Sequence, residues 1–311
     1  MPKIAIIGAG DVGTTIAYTL QISGLATEIS LIDIDHNLAQ GQVMDMNHGL
    51  FFVPQVQLSA GNYLDCRSAD VIIITAGARQ RIGENRLSLV NRNATIYRSI
   101  IDQIKPDSNT GVLLIVTNPV DVMTQVVIKH SGLPRSQVMG SGTVLDSARF
   151  RYFLSRHFDI DARNIHAYVI GEHGDSEVVL WSQVRIAGTP LERFSIGITD
   201  ARKQVDREKT TNDVKESAYH IIEAKGATNY GVSLAVRRIV EAIIRDENSV
   251  LTVSTLLSGE YGLNDVCLSV PCIVNRKGIK GIVEAALDQE EERALKNSAR
   301  IIKDVYKKVA G

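Results

Sequence analysis

Short aliphatic runs alternate with longer amphipathic stretches in the first half of the chain. Uninterrupted apolar runs bounded by polar residues or glycine are typical of strands buried on both faces of a parallel sheet. The intervening stretches place apolar residues at helical spacing. This alternation predicts a parallel sheet with helices on both faces. The predicted strands are Lys3–Ile7, Glu28–Ile32, Val71–Thr75 and Val112–Val116, and the predicted helices are Val12–Ser23, His36–His48 and Asn85–Lys105.

Strands and helices are interleaved less regularly in the second half, which is typical of an α+β domain. The fold class predicted for the whole chain is therefore α/β, with a parallel sheet followed by an α+β unit. We place the boundary near Gly140–Thr143, which gives domains over residues 1–142 and 143–311. Predicted helices of the second half are Val144–His157, Thr199–Ile222, Tyr230–Arg245 and Asp288–Val309, and its predicted strands are Ile165–Ile170, Val250–Leu257 and Cys267–Val274.

Composition excludes several classes of protein. The 311 residues include 34 Lys and Arg and 35 Asp and Glu, so the formal net charge is -1. This balance provides no basic surface for nucleic acid and no polybasic membrane tag. No apolar stretch reaches the roughly 18 residues of a membrane span, and we expect a cytoplasmic protein. Three cysteines without a CxxC pair argue against a disulfide framework or a cysteine zinc site, and no metal is expected.

The first predicted strand leads directly into Gly8-Ala9-Gly10-Asp11-Val12-Gly13, and a predicted helix follows. This GxGxxG turn is the pattern that cradles a dinucleotide pyrophosphate at a helix N-terminus. Asp33 ends the second strand 20 residues after Gly13. A carboxylate there accepts hydrogen bonds from a ribose diol and repels a 2′-phosphate, so the pattern favours NAD over NADP.

Two further polar segments follow predicted strands. Thr75-Ala76-Gly77 and Thr117-Asn118-Pro119 stand at strand carboxyl ends, where open α/β sheets bind ligands. Each alone is equally compatible with an ordinary loop, but together they favour a place beside the nicotinamide end of a dinucleotide.

His173 stands out among seven histidines because glycines flank it in Gly171-Glu172-His173-Gly174, after an apolar strand. Histidine suits proton transfer near neutral pH, and a carboxylate such as Asp146 could orient it. Arg149 lies three residues after Asp146, where a guanidinium could hold a substrate carboxylate. The pattern alone is equally that of an i, i+3 surface salt bridge.

A polar segment, Arg79–Arg86, separates a strand from a long helix. Such a segment can act as a lid with Gly83 as a flexible point, and Arg86 would then reach a substrate oxygen. A solvated basic loop is the alternative.

Four motifs in this order resemble the lactate/malate dehydrogenase family over essentially the whole chain. They are Gly8-x-Gly10-x-x-Gly13, Asn118-Pro119-Val120-Asp121, Leu145-Asp146-Ser147-Ala148-Arg149 and Gly171-Glu172-His173-Gly174-Asp175-Ser176. The resemblance implies a Rossmann-type NAD-binding domain over 1–142, a catalytic domain over 143–311, and reversible NADH-dependent reduction of pyruvate to L-lactate.

The resemblance also implies a role for each matching residue. His173 is the general acid/base, Asp146 its orienting partner, Arg149 the clamp on the substrate carboxylate and Arg86 the lid arginine that polarises the carbonyl. Further substrate contacts are Gln80, Asn118 and Thr228. Cofactor contacts are Gly8, Gly10, Val12, Gly13, Asp33, Tyr63, Gly77, Ala78, Ser99, Val116, Asn118 and Ser141. Leu38 departs from the family pattern, since this position is often polar or basic in relatives.

Substrate choice rests on Gln80, which matches the discriminating lid position of the family. A neutral glutamine suits the methyl group of pyruvate, whereas an arginine suits the second carboxylate of oxaloacetate. Arg79 and Arg81 flank Gln80, and Ile82 replaces a common proline. A malate dehydrogenase and a broader L-2-hydroxy acid dehydrogenase therefore stay open, as does a non-catalytic NAD(H)-binding sensor.

The resemblance further implies regulation. Arg151 and His166 match the arginine and histidine with which bacterial members bind fructose 1,6-bisphosphate across a subunit interface. A two-fold axis would double both residues into a cationic pocket. We expect a homotetramer with a possible bisphosphate activator, while ordinary polar residues at a subunit contact are the alternative.

Overall fold

The computed structural model describes residues 2–78, 86–107, 109–195 and 204–309. Its strands are β1 (Lys3–Ile7), β2 (Glu28–Ile32), β3 (Gln57–Ala60), β4 (Val71–Ile74), β5 (Val112–Ile115), β6 (Val138–Gly140), β7 (Ile165–His166), β8 (Val169–Ile170), β9 (Val178–Val179), β10 (Arg185–Ile186), β11 (Thr189–Pro190), β12 (Ser249–Ser258), β13 (Asn264–Asn275) and β14 (Gly278–Ile282). Its helices are α1 (Asp11–Ser23), α2 (His36–His48), α3 (Arg86–Ile104), α4 (Val120–Ser131), α5 (Val144–Phe158), α6 (Arg207–Lys225), α7 (Tyr230–Ile244) and α8 (Gln289–Lys307).

The first six strands pair in parallel in the order β3-β2-β1-β4-β5-β6. Each connection between sequential parallel strands must cross a face of the sheet, so helices cover both faces. This burial explains the uninterrupted apolar runs, since all four residues of β4 are buried. The predicted fold class is confirmed. The carboxyl ends of β1, β4 and β5 converge on one edge, where ligands of such sheets bind.

The sheet does not stop at the predicted domain boundary. Strand β12 pairs antiparallel with β6 through Ser254 and Gly140, and β13 and β14 continue the same sheet. Helix α5, which carries the predicted site residues Asp146 and Arg149, packs against β12 of this continued sheet. The division into residues 1–142 and 143–311 stays a prediction.

The prediction of one continuous strand over Ile165–Ile170 is wrong. Ile165–Ile170 divides into β7, which joins a sheet with β10, and β8, which pairs with β9. Ala167 and Tyr168 separate the two because their carbonyls serve other partners: Arg151 Nε donates to Ala167, and the Leu180 N–H donates to Tyr168. The predicted helix Thr199–Ile222 begins later in the structure, at Arg207, where Asp206 caps α6 and residues 204–206 are not helical. Residues 199–203 lie outside the described residues.

Candidate active site at the sheet edge

The glycine turn between β1 and α1 is shaped by two steric constraints. Gly8 has a φ of +112°, which favours glycine. A Cβ on Gly13 would lie 1.8 Å from the carbonyl oxygen of Gly8, so α1 can approach β1 only without a side chain there. A Cβ on Gly10 would meet nothing within 4 Å. Gly10 thus leaves open space at the N-terminus of α1, which fits a pyrophosphate.

Asp33 holds the turn from the neighbouring strand. One carboxylate oxygen accepts the Ala9 N–H at 2.6 Å, and the other accepts the Asp35 N–H at 2.9 Å. Each oxygen retains a lone pair with which to accept a ribose hydroxyl. The Tyr63 phenol lies near enough to this carboxylate to be affected by its charge. Burial raises the pKa of the phenol, and Cys66 and Asp33 raise it further. Both residues suit the adenosine end of a dinucleotide.

A cavity of about 370 Å³ extends from the glycine turn to His173. Nine of the predicted site residues share this one cleft. They are Val12, Gly77, Ala78, Val116, Asn118, Ser141, Arg149, His173 and Thr228. Residues from both halves of the chain therefore form its walls, as a site for two reactants requires.

Some predicted residues are not in this cavity lining or lie outside the described residues. Ser99 is exposed on α3, two turns beyond the cavity-lining Asn93, and its cofactor role stays a prediction. Gln80 and the rest of the proposed lid, residues 79–85, lie outside the described residues. Arg86 begins α3, and only its backbone position is described. Leu38 is exposed at the start of α2.

Asn93 was not predicted, although it joins the two polar strand ends. Its side-chain oxygen accepts the Ala78 N–H at 2.8 Å, and its amide nitrogen donates to the Asn118 carbonyl at 3.2 Å. The residue is 2% exposed. Its position within an amphipathic helix gives no local signal of this role, because both partners come from other segments.

His173, Asp146 and Arg149 meet at the far end of the cavity. Nδ1 of His173 lies 2.6 Å from Oδ2 of Asp146, while Nη1 of Arg149 donates to Oδ1 of the same carboxylate at 2.8 Å. Asp146 is 2% exposed. The i, i+3 pair of the sequence is therefore a buried bridge and not a surface salt bridge. One carboxylate fixes a proton-transfer group relative to a cationic clamp.

The electrostatics of the site favour a charged imidazole. Burial lowers the pKa of His173, but the carboxyl groups of Asp146, Asp121 and Glu177, with Asp146 the strongest, together outweigh burial and raise the pKa to about 9. Burial likewise raises the pKa of Asp146, but His173 and Arg149 outweigh it and hold that pKa below its ordinary value. At neutral pH the pair is therefore an imidazolium beside a carboxylate, ready to donate a proton from Nε2.

Asp121 positions the histidine from the first half of the chain. Its Oδ2 accepts the backbone N–H of His173 at 2.8 Å, and its Oδ1 accepts the Ser254 hydroxyl at 2.6 Å. Burial raises the pKa of this carboxyl to about 6. The motif that contains Asp121 was recognised from the sequence, but its contact 52 residues away was not predicted.

Arg151 and His166 come from adjoining elements, α5 and β7. Nε of Arg151 donates to the Ala167 carbonyl at 3.0 Å, and its guanidinium carbon lies 5.2 Å from the centre of the Tyr168 ring. Burial lowers the pKa of this guanidinium. His166 is exposed. The hydrogen bond places the arginine beside the residue that follows His166, away from the catalytic cavity.

Within the described ranges, no three His, Cys, Asp or Glu side chains come together as a metal site requires. A search of the described helices finds none long and apolar enough to cross a bilayer.

Comparisons with known proteins cover both halves of the chain. A sequence profile described as "lactate/malate dehydrogenase, NAD binding domain" matches residues 2–140, and one described as "lactate/malate dehydrogenase, alpha/beta C-terminal domain" matches residues 143–311. The chain is 53% identical over 305 residues to the L-lactate dehydrogenase of Acetivibrio thermocellus, covering 98% of this chain and 96% of the relative. It is 54% identical over 309 residues to that of Thermoanaerobacter pseudethanolicus, covering 99% of each.

Solved structures agree in fold. The minor L-lactate dehydrogenase of Enterococcus mundtii, in a ligand-bound form, is similar with a TM-score of 0.95 at 37% identity, covering 99% of this chain and 98% of that one. The L-lactate dehydrogenase of Clostridium thermocellum has a TM-score of 0.89 at 42% identity, covering 100% of each chain.

The two glycines of the turn should separate folding from cofactor binding. We expect Gly13→Ala to destabilise the protein by about 2 to 3 kcal/mol, because its Cβ must displace the Gly8 backbone. Gly10→Ala should fold normally but weaken NADH binding by about tenfold or more, equivalent to roughly 1.4 kcal/mol, because a methyl group enters the cofactor space. Thermal unfolding and NADH fluorescence titration measure the two effects. Normal NADH binding by Gly10→Ala would contradict the proposed use of that space.

Proposed function

The chain belongs to the lactate/malate dehydrogenase family, and on this premise we propose that it catalyses the NAD-dependent interconversion of pyruvate and L-lactate. The observation that carries the proposal is the Asp146 carboxylate shared by His173 and Arg149 in the cavity that reaches the glycine turn. This arrangement supports the assignment of a proton donor and a carboxylate clamp that act side by side. The cytoplasm, where NADH is available, is the location that suits this activity.

The protein side of the reaction is proton transfer and orientation. Arg149 contacts Asp146 through Nη1, and a guanidinium has five N–H donors, so it can also hold the carboxylate of pyruvate. Protonated His173 faces the keto oxygen and donates its proton as negative charge develops there. In the reverse direction the neutral imidazole accepts the hydroxyl proton of L-lactate.

Bound NADH supplies the hydride that reduces the keto carbon. The turn from Gly8 to Gly13 and Asp33 would hold its pyrophosphate and adenosine ribose, and Val12, Gly77, Val116 and Ser141 would line its nicotinamide half. Arg86 is assigned to the reacting carbonyl on its match to the family's lid arginine. Asn118 and Thr228 are assigned to substrate because they line the cavity beside Arg149 and His173.

Gln80 is assigned to substrate discrimination. A neutral side chain there suits a methyl group, whereas malate dehydrogenase activity needs a cation for the second carboxylate. The named relatives above are L-lactate dehydrogenases, which favours pyruvate over oxaloacetate. A non-catalytic sensor is disfavoured because His173, Asp146 and Arg149 are joined as proton transfer requires.

The specificity proposal is tested at Gln80. The native protein should consume NADH with pyruvate far faster than with oxaloacetate or 2-ketoisocaproate, judged by kcat/KM. Gln80→Arg should shift the pyruvate-to-oxaloacetate ratio by about a hundredfold or more, equivalent to roughly 2.7 kcal/mol, because an unpaired cation in a closed site is costly against a methyl group. A native preference for oxaloacetate would establish the malate alternative. NADH binding without consumption would establish the sensor.

Assembly and regulation are the finer part of the proposal. We assign a homotetramer with an anion site built from Arg151 and His166 of neighbouring subunits, for fructose 1,6-bisphosphate as activator. Support comes from the adjacency of α5 and β7: Arg151 bonds the residue after His166, and α5 also carries Asp146 and Arg149. A bisphosphate bound across the interface would therefore bias the helix that holds the substrate clamp.

The regulatory site predicts a linked change in mass and affinity. Fructose 1,6-bisphosphate should lower the half-saturating pyruvate concentration and raise the sedimenting mass at low protein concentration. Arg151→Gln should remove both effects while keeping turnover at saturating pyruvate. An unchanged half-saturation and mass in the native protein would reject this site and leave the catalytic assignment intact.

A further inference from the structure

Glu177 is a buried carboxyl side chain that the proposed mechanism does not use. It lies four residues after His173, immediately before β9, and is 6% exposed. Its backbone N–H donates to the Gly174 carbonyl at 3.0 Å. Its Oε1 is buried and accepts no hydrogen bond from the described residues. An unpartnered buried oxygen is destabilising, so its presence calls for a functional explanation.

The side chain forms part of the wall between two cavities. One, of about 360 Å³, holds Asp146, Arg149 and His173. The other, of about 590 Å³, is closed by α8 and has Lys308 among its polar lining. Glu177 lines both. The carboxyl group of Glu177 therefore shares a cavity wall with the candidate catalytic groups and can interact with their charges.

The charged groups around Glu177 come from four parts of the chain. Asp146 and Arg149 lie on α5, Lys215 on α6 and Lys308 just after α8, while the loop of His173 also carries Glu172 and Asp175. Burial raises the pKa of Glu177 to about 8, with a further contribution from Asp146, while His173, Lys215 and Arg149 act in the opposite direction. Glu177 itself raises the pKa of His173. The two groups therefore titrate in overlapping ranges and oppose each other in charge.

We propose that Glu177, a buried carboxyl in the wall of the cavity that holds His173, is a positioning residue of the reaction whose negative charge helps to retain the proton on His173. This inference rests on the proposed function. Without the Glu177 carboxylate, the negative charge of Asp146 interacts with two cations at once, His173 and Arg149. With it, a second negative charge compensates the imidazolium, and the range of pyruvate reduction extends to higher pH. A neutral side chain of the same shape cannot do this.

The test compares native protein with Glu177→Gln, which keeps the size and polarity of the side chain but cannot ionise. NMR titration of the His173 imidazole should show its protonation midpoint lowered by about half to one pH unit in the variant. The alkaline fall of kcat/KM for pyruvate should move by the same amount. With a native midpoint near 9, the ratio of kcat/KM at pH 9 to that at pH 7 should fall about twofold to fivefold in the variant.

Two further variants distinguish this role from a structural one. Glu177→Asp retains an ionisable group and should restore much of the native His173 titration. Glu192→Gln removes an exposed carboxylate that pairs with Arg207 and should leave the titration unchanged. Identical His173 titrations in native protein and Glu177→Gln would overturn the proposal. Equal shifts in the Gln and Asp variants, with lowered unfolding temperatures, would also overturn it in favour of packing. Failure of the native protein to reduce pyruvate would reject the proposed function, while the imidazole titration would still decide the role of Glu177.

Discussion

The buried carboxylate of Asp146 is the interaction on which the rest of the site depends. A charge that is 2% exposed is destabilising unless it is paired, and each oxygen of this one has a cationic partner. The pairing therefore does two things at once. It raises the proton affinity of His173, and it sets the distance between the proton donor and the Arg149 guanidinium. Losing the carboxylate would leave two cations close together with nothing to orient either.

The scaffold that holds this bridge crosses the predicted domain boundary. Asp146 stands on α5 of the second half, while Asp121 on α4 of the first half accepts the His173 backbone N–H. Ser254 of β12 in turn donates to Asp121. Because β12 also pairs with β6, the histidine is tied to the sheet whose edge carries the glycine turn. The distance between the glycine turn and His173 is thus set by one continuous sheet and by the hydrogen bonds of Asp121.

Local patterns predicted four of the six parallel strands closely, whereas the short strands β3 and β6 were not predicted. Strands β1 and β2 have the predicted bounds, because strands buried on both faces have abrupt polar boundaries. Helix α2 also begins and ends as predicted. Helix α4 was not predicted, since residues 120–128 are all buried and show no amphipathic period. The interrupted strand at Ile165–Ile170 was mistaken for one element, because the partners that divide it, Arg151 and Leu180, are distant in sequence.

The candidate catalytic residues were predicted from motifs and from a resemblance to a family, whereas the residues around them were not predicted. Asn93 and Asp121 form hydrogen bonds with other segments, and Glu177 lines the cavity of the candidate residues; no short pattern identifies these contacts. A periodicity argument places Asn93 on a helix and says nothing of the loops it joins. Buried polar groups of this kind become recognisable only when the fold shows what surrounds them.

The central claim is that Asp146 keeps His173 charged inside an otherwise unfavourable environment. The most direct measurement is an NMR titration of the His173 imidazole in native protein and in Asp146→Asn, with NADH binding as a check on folding. The account predicts a proton retained to about pH 9 in the native protein. In the variant, burial is opposed only by the smaller contributions of Asp121 and Glu177, and the midpoint should fall well below the native one, toward the ordinary value of about 6.5. Equal midpoints in the two proteins, or a native midpoint at or below the ordinary value, would contradict it.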